Sequence, residues 1–236
     1  MHHRRRVLSA ALLGASALLL PADGRAQAWS YPAFQAPRVE PRELNFSFSD
    51  ADPGTVLLFQ WREGRSSRTQ LSLDAGFVDD AFGGFSNDDD VLFVGGQFGQ
   101  QLATANANMP FDFLLTVGVN FATSDPMTAI RVPVGVSIGH RFPLEGRMSI
   151  TPWIHPRISI DHFNWDTGFD FRGRDDSETD ANFVMDLGGS FEFSPNFALR
   201  LAASFGGDVL DDSFGVSLAW RPVGSRAPVG RPPRRG

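Results

Sequence analysis

The 236-residue chain has no cysteine, no lysine and a single tyrosine. Without cysteine there is no disulfide scaffold, no thiol nucleophile and no cysteine-ligated zinc or iron–sulfur site. All 21 basic residues are therefore arginine. Also missing is an apolar run of the roughly 20 residues that a membrane-crossing helix needs. No Gly-x-Ser-x-Gly, His-Glu-x-x-His or phosphate-binding loop occurs, so the sequence points to no cofactor, no metal and no catalytic residue. The net charge of −6 hides a segregation. Residues 1–28 hold four Arg and one Asp, residues 223–236 hold four more Arg, and the body between carries 13 Arg against 26 acids. A body this acidic argues against nucleic acid as a partner.

The first segment is an address. Met1–Arg6 is a basic stretch, Val7–Leu20 an apolar run of 14 residues, and Ala26-Gln27-Ala28 a small-x-small cleavage pattern. Residues 1–28 thus have the form of a secretory signal peptide cleaved before Trp29. Residues 29–41 form a Pro-rich lead (Pro32, Pro37, Pro41), and residues 223–236 an Arg/Pro-rich tail expected to be disordered.

Between lead and tail the sequence alternates. Apolar residues recur at every second position in ten runs, the period of strands with one apolar face. The longest reads Phe111, Phe113, Leu115, Val117, Val119, Phe121; another reads Ile130, Val132, Val134, Val136, Ile138, His140, Phe142. None of the positions on these faces carries Asp, Glu or Arg. The opposite faces hold the charges. A soluble sandwich would bury the apolar faces, whereas a transmembrane barrel would turn them to lipid and enclose the polar ones. Three features favour the barrel. Several runs reach the ~9–11 residues of a tilted membrane-crossing strand. Aromatics collect at run ends (Phe142, Phe193, Phe197, Phe205, Phe214, Trp220). Tight connections (143–146, 194–196) alternate with long acidic ones (79–90, 162–181). The expected fold is all-β: an antiparallel transmembrane up-and-down β-barrel over residues 42–222, with ten strands, or eight if the weakest runs fail. Both termini then lie in the periplasm.

The segments Val132–Phe142, Thr151-Pro152-Trp153 and Phe214–Trp220 resemble strands of small bacterial outer-membrane β-barrels of the OmpA-transmembrane, OmpX and opacity-protein kind. The resemblance implies an outer-membrane location, insertion by the barrel-assembly machinery, and a monomer surrounded by outer-membrane lipid and lipopolysaccharide. It departs from the group in one respect: residues continue past the aromatic Trp220 that would normally end the chain.

The candidate functional residues are a lumenal polar network of Asp74, Asp112, Arg131, Arg157, Asp161, Asp186, Glu192 and Arg200. Arg157 is expected beside Asp186, and Glu192 opposite Arg200. The main reading is a structural filling in which buried charges persist because they are paired; the other is a narrow polar channel. Clustered acids in the long loops (Asp79-Asp80, Asp88-Asp89-Asp90, Asp175-Asp176, Glu178, Asp180) read as an anionic rim, since their spacing fits no calcium loop. Asp161-His162 facing Asp79-Asp80 resembles the constellation of omptin proteases, although the spacing differs. Pro152 and Pro156 share a face, so both missing N–H groups point toward one neighbour. That arrangement implies a bulge, or a weak seam beside His155 and Trp153. The expected function is non-enzymatic: a structural, adhesive or narrow-pore protein of the outer membrane. The alternatives are a barrel enzyme acting on outer-membrane lipid or peptides, and a soluble periplasmic barrel holding an apolar ligand.

Overall fold

The computed structural model describes residues 31–51, 54–79, 90–125, 127–165, 177–206 and 212–222. The signal peptide, the tail and most of the long acidic connections lie outside them. Among the described residues there is no helix. The strands are β1 (Arg42–Ala51), β2 (Thr55–Gly64), β3 (Thr69–Asp79), β4 (Val91–Ala103), β5 (Asp112–Ser124), β6 (Met127–Gly139), the two-residue β7 (Phe142–Pro143), β8 (Ser149–Trp165), β9 (Ser177–Ser194), β10 (Phe197–Phe205) and β11 (Ser213–Trp220). Every pairing is antiparallel, and β1 pairs with β11 while β6 pairs with β8. The sheet therefore closes, with ten wall strands and β7 as a short extension against β8. The chain enters β1 and leaves β11 at the end that carries the 143–146 and 194–196 turns, called here the turn end; the long connections after Asp79 and after Trp165 lie at the other, the loop end, with the short β1–β2 and β5–β6 links.

The alternation read from the sequence becomes the two faces of this wall. Phe46, Leu57, Leu73, Val94, Val119, Ile158, Leu201 and Phe214 are exposed on the outside, while Asn45, Gln60, Asp74, Asn120, Arg157 and Arg200 are buried inside. A water-soluble barrel of this size would have to leave that whole apolar exterior in water. The distribution is that of a wall facing hydrocarbon. Rim aromatics back this up at the turn end, where Phe193 stacks on Phe197 at 6.1 Å and Phe142 packs edge-on to His140 at 4.5 Å. The closed ladder contains ten wall strands, not eight.

Proline marks where the wall is least regular. Between β5 and β6, pairing stops at Val117–Val134 and resumes at Asn120–Arg131, skipping Gly118 opposite Pro133. Between β6 and β8 it stops at Gly135–Arg157 and resumes at Ile138–Ile154, skipping Val136 opposite Pro156. A prolyl nitrogen donates nothing to a ladder, so β6 has a gap on each side. His140 N donates to Pro152 O at 3.4 Å, which shows that Pro152 also turns its main-chain polar edge toward β6. The two proline nitrogens of β8 thus face the same neighbour, at the discontinuity expected from the sequence.

Candidate functional site: a lumen closed by the N-terminal segment

The lead does not trail away from the barrel. From Pro41 at the turn end it rises into the lumen, and Phe34, Gln35 and Ala36 are buried there. It makes few hydrogen bonds to itself and many to side chains of the wall. Gln101 Nε2 donates to Pro37 O at 3.0 Å, and Ser137 Oγ to Gln35 O at 2.8 Å. Arg200 Nη1 approaches Phe34 O and Arg157 Nη2 approaches Tyr31 O, each at 3.5 Å. In the other direction Val39 N donates to Gln101 Oε1 at 3.0 Å, and Glu40 N to Gln70 Oε1 at 3.2 Å. Prolines at 32 and 37 remove donors that the lumen would otherwise have to satisfy. At the upper end Tyr31 stacks on Phe93 at 5.3 Å. The Phe34 ring fills the space beside Gly215, where a Cβ would meet it at 2.7 Å.

These aromatics explain a departure from the sequence reading, which gave the inner faces to polar residues. Toward the loop end the lumen is largely apolar: Val56, Leu58, Val78, Val91, Phe93, Ala122, Met127, Ala129 and Phe163 form one buried cluster with Phe34, and Tyr31 packs against it. The lead supplies the apolar partner that those inward residues need.

The charged half is organised around a residue that the candidate list left out. Glu43, fully buried on β1, binds Arg200 through both oxygens at 2.7 Å. It also accepts from Arg62 Nη1 at 3.1 Å, Asn45 Nδ2 at 3.0 Å and Arg221 Nε at 3.0 Å. The carboxylate thus sits among three guanidinium groups. Arg221 in turn reaches Glu40 and Glu192, each at 3.1 Å, so the base of the lead is fastened to this cluster. Glu40 lies outside the strands, where burial pushes its carboxyl up and Arg221 pulls it back. Burial opposes the charge on Arg221, and its three carboxylate neighbours outweigh that and raise its pKa.

The other candidates fall into separate groups rather than one network. Arg157 takes both oxygens of Asp186, at 2.9 and 3.3 Å. Arg131 Nε donates to Asp161 at 2.6 Å, with Ser159 and Asn182 completing that carboxylate. Asp74 accepts from Gln60 at 3.1 Å. Asp112 accepts from Ala105 N at 2.8 Å and lies 3.4 Å from Arg38 of the lead. Glu192 is held by Arg141, Ser149 and Arg221. It does not meet Arg200. The register shifts at Phe197–Ala198, and Arg200 reaches past β11 to Glu43 instead.

Asp186, His155 and Thr116 stand in series, with Nδ1 at 3.1 Å from the carboxylate and Nε2 at 2.9 Å from the hydroxyl. The order is that of an orienting acid, a base and a nucleophile. However, the Thr116 hydroxyl also bonds Gly135 O at 3.3 Å, and all three side chains are buried. The cavity that His155 lines with Tyr31, Phe34 and Gln35 holds only about 40 Å³. The group acts as a tie over the gapped strand: it joins β5, β8 and β9 across Gly135, where a Cβ would meet His155 Nε2 at 2.6 Å. Asp161 and His162 point to opposite faces, Asp161 into the lumen and His162 outward against Thr179 at 2.8 Å, so they form no pair. Asp80, Asp88, Asp89, Asp175 and Asp176 lie outside the described residues. Among the described residues no group of three His, Asp or Glu side chains converges as a metal site would.

No family model matches the chain, and no curated protein matches it. Among solved structures it is similar to a de novo designed transmembrane β-barrel, at 11% identity over 79% of this chain and 98% of that one, with a TM-score of 0.36. It is also similar to the KdgM porin, at 7% identity over 76% and 99%, with a TM-score of 0.37. A third is the Acinetobacter baumannii outer membrane protein Omp33, at 10% identity over 80% and 100%, with a TM-score of 0.37. At such identities the chain's own geometry has to carry the functional reading.

Proposed function

We propose that this protein is a non-enzymatic β-barrel of the outer membrane whose lumen is closed by its own N-terminal segment. It would be exported by the signal peptide of residues 1–28 and inserted as a monomer by the barrel-assembly machinery. Outer-membrane lipid and lipopolysaccharide would surround it. The apolar exterior supports the membrane, and the long acidic connections at the end opposite the entry to β1 and the exit from β11 support a periplasmic turn end. One observation carries the rest: the buried lead, held from one side of the wall by Gln70, Gln101 and Ser137 and from the other by Arg200. With the lead docked, the space it leaves beside Arg62, Arg131 and Arg157 is a 40 Å³ pocket, too small for a solute path. The role is then structural or adhesive at rest, and pore-like only with the lead withdrawn.

Planar-bilayer recording tests this. The mature chain should give no sustained conductance, and a variant lacking residues 29–40 should give discrete open steps. Equal, steady conductance from both would overturn the reading.

A further inference from the structure

We infer that the lumen is a binding site for extended peptides, recognised through their main chain, and that the lead occupies it as an internal ligand. The inference rests on the reading that the lead closes the barrel. Its basis is the kind of contact made. Four carbonyls of the lead (Tyr31, Phe34, Gln35, Pro37) face wall donors, and two of its N–H groups (Val39, Glu40) face wall carboxamides. Such contacts do not depend on which side chains the peptide carries. The wall glutamines are suited to this task. Each offers a donor and an acceptor on one planar group, and Gln101 uses both on the lead at once.

Side chains add to this at three polar points, where Arg38 lies beside Asp112, Glu40 against Arg221 and Gln35 Oε1 accepts from Gln70 Nε2, and in the character of the two halves. The apolar half of the lumen takes aromatic side chains three residues apart, as Tyr31 and Phe34 show. The charged half takes a segment poor in N–H donors, as prolines provide. The ligand class is therefore a proline-containing extended peptide with two aromatics near its leading end, entering from the turn end. While the lead is attached, its local concentration excludes any such competitor. A free peptide binds only where the lead has left.

The test uses the barrel lacking residues 29–40 and a fluorescent synthetic peptide of residues 29–41. Saturable one-to-one binding by anisotropy is expected, together with block of the open conductance. A peptide that keeps the aromatics, the prolines, Gln35, Arg38 and Glu40 but permutes the other residues should bind within about tenfold. Gln101→Leu in the barrel should weaken binding by about tenfold, the effect of losing a main-chain hydrogen-bond pair. If the deleted barrel does not fold, a full-length chain with a protease site between residues 40 and 42, cut after folding, gives the same readout as exchange of the severed lead. No binding to a barrel that does conduct overturns the inference and leaves the closed-lumen reading standing. Binding that the permuted peptide loses entirely also overturns it, because recognition would then run through side chains. A deleted barrel that binds the peptide without ever having conducted would sink the closure and keep the site.

Discussion

Replacing Glu43 by Gln isolates the charge at the centre of the lumen. The carboxylate has three arginine partners, but the loss is not three times that of one pair. Arg62 keeps Gln60 at 3.0 Å, and Arg221 keeps Glu40 and Glu192. Arg62 and Arg200 both lose their paired acid: Arg62 is left with the neutral Gln60, and Arg200 with Asn45 Oδ1 and the Phe34 carbonyl. The Arg200 side chain has no exposure to water. A buried charge left without its counter-ion costs about 3–5 kcal/mol, and that is the expected loss for Glu43→Gln. Adding Arg200→Met removes the more deeply buried of the two stranded charges, so the double variant should be more stable than Glu43→Gln alone. Equilibrium urea unfolding in liposomes, followed by tryptophan fluorescence, reads both. A Glu43→Gln barrel within about 1 kcal/mol of the parent, or a double variant no better than the single, refutes the argument.

Other consequences follow from the same geometry. Asp186→Asn should cost about 3–5 kcal/mol by stranding Arg157, and it should raise proteolysis near the gapped β6 more than Asp74→Asn does. Gly188→Val drives a side chain into the Trp153 ring and should cost about 1–3 kcal/mol by overpacking, visible as a shifted tryptophan emission. Pro156→Val returns a donor to the β6 side of the wall; unfolding should slow and stability rise by about 1 kcal/mol, whereas an unchanged barrel means that the gap has another cause. Docking of the lead should depend on pH. With its pKa raised when docked, Glu40 favours docking most below the ordinary glutamate range, and the gain is lost as pH rises through the raised value. Channel openings should therefore become more frequent as pH rises, and Glu40→Gln should flatten the profile.

The wall was legible in the sequence because a strand has a period of two and one parity of every run is free of Asp, Glu and Arg. The inward positions of Asp74, Arg131, Arg157, Asp161 and Asp186 follow from that parity, and so does the neighbour pair Arg157–Asp186. Partners across the lumen did not follow. Arg200 reaches from β10 to Glu43 on β1 because a closed wall curves its inner side chains toward one another, and a pattern read strand by strand carries no curvature. Glu43 shares the parity of Asn45 and Ser47, and that was the available signal. The lead was illegible for a different reason. It has no period, and its structure is imposed by wall side chains far away in the chain: Gln101 lies 64 residues from Pro37, and Ser137 lies 102 from Gln35. The apolar half of the lumen was hidden with it. In the stretch Val56-Leu57-Leu58-Phe59 both parities are apolar, which has an explanation only once Tyr31 and Phe34 are known to lie inside.

The central claim is that the apolar face meets lipid and the opposite face meets a filled interior. The small number of tryptophans makes it accessible to single-tryptophan spectroscopy in bilayers of brominated lipid. In a background with Trp29, Trp61, Trp153, Trp165 and Trp220 changed to Phe, tryptophan is restored at position 153 or introduced by Leu201→Trp. Position 201 is exposed on the wall and position 153 is buried inside it. Strong quenching of the probe at 201 and little at 153 is the predicted result. Equal quenching at both positions, or quenching confined to 153, would contradict the assignment of the two faces.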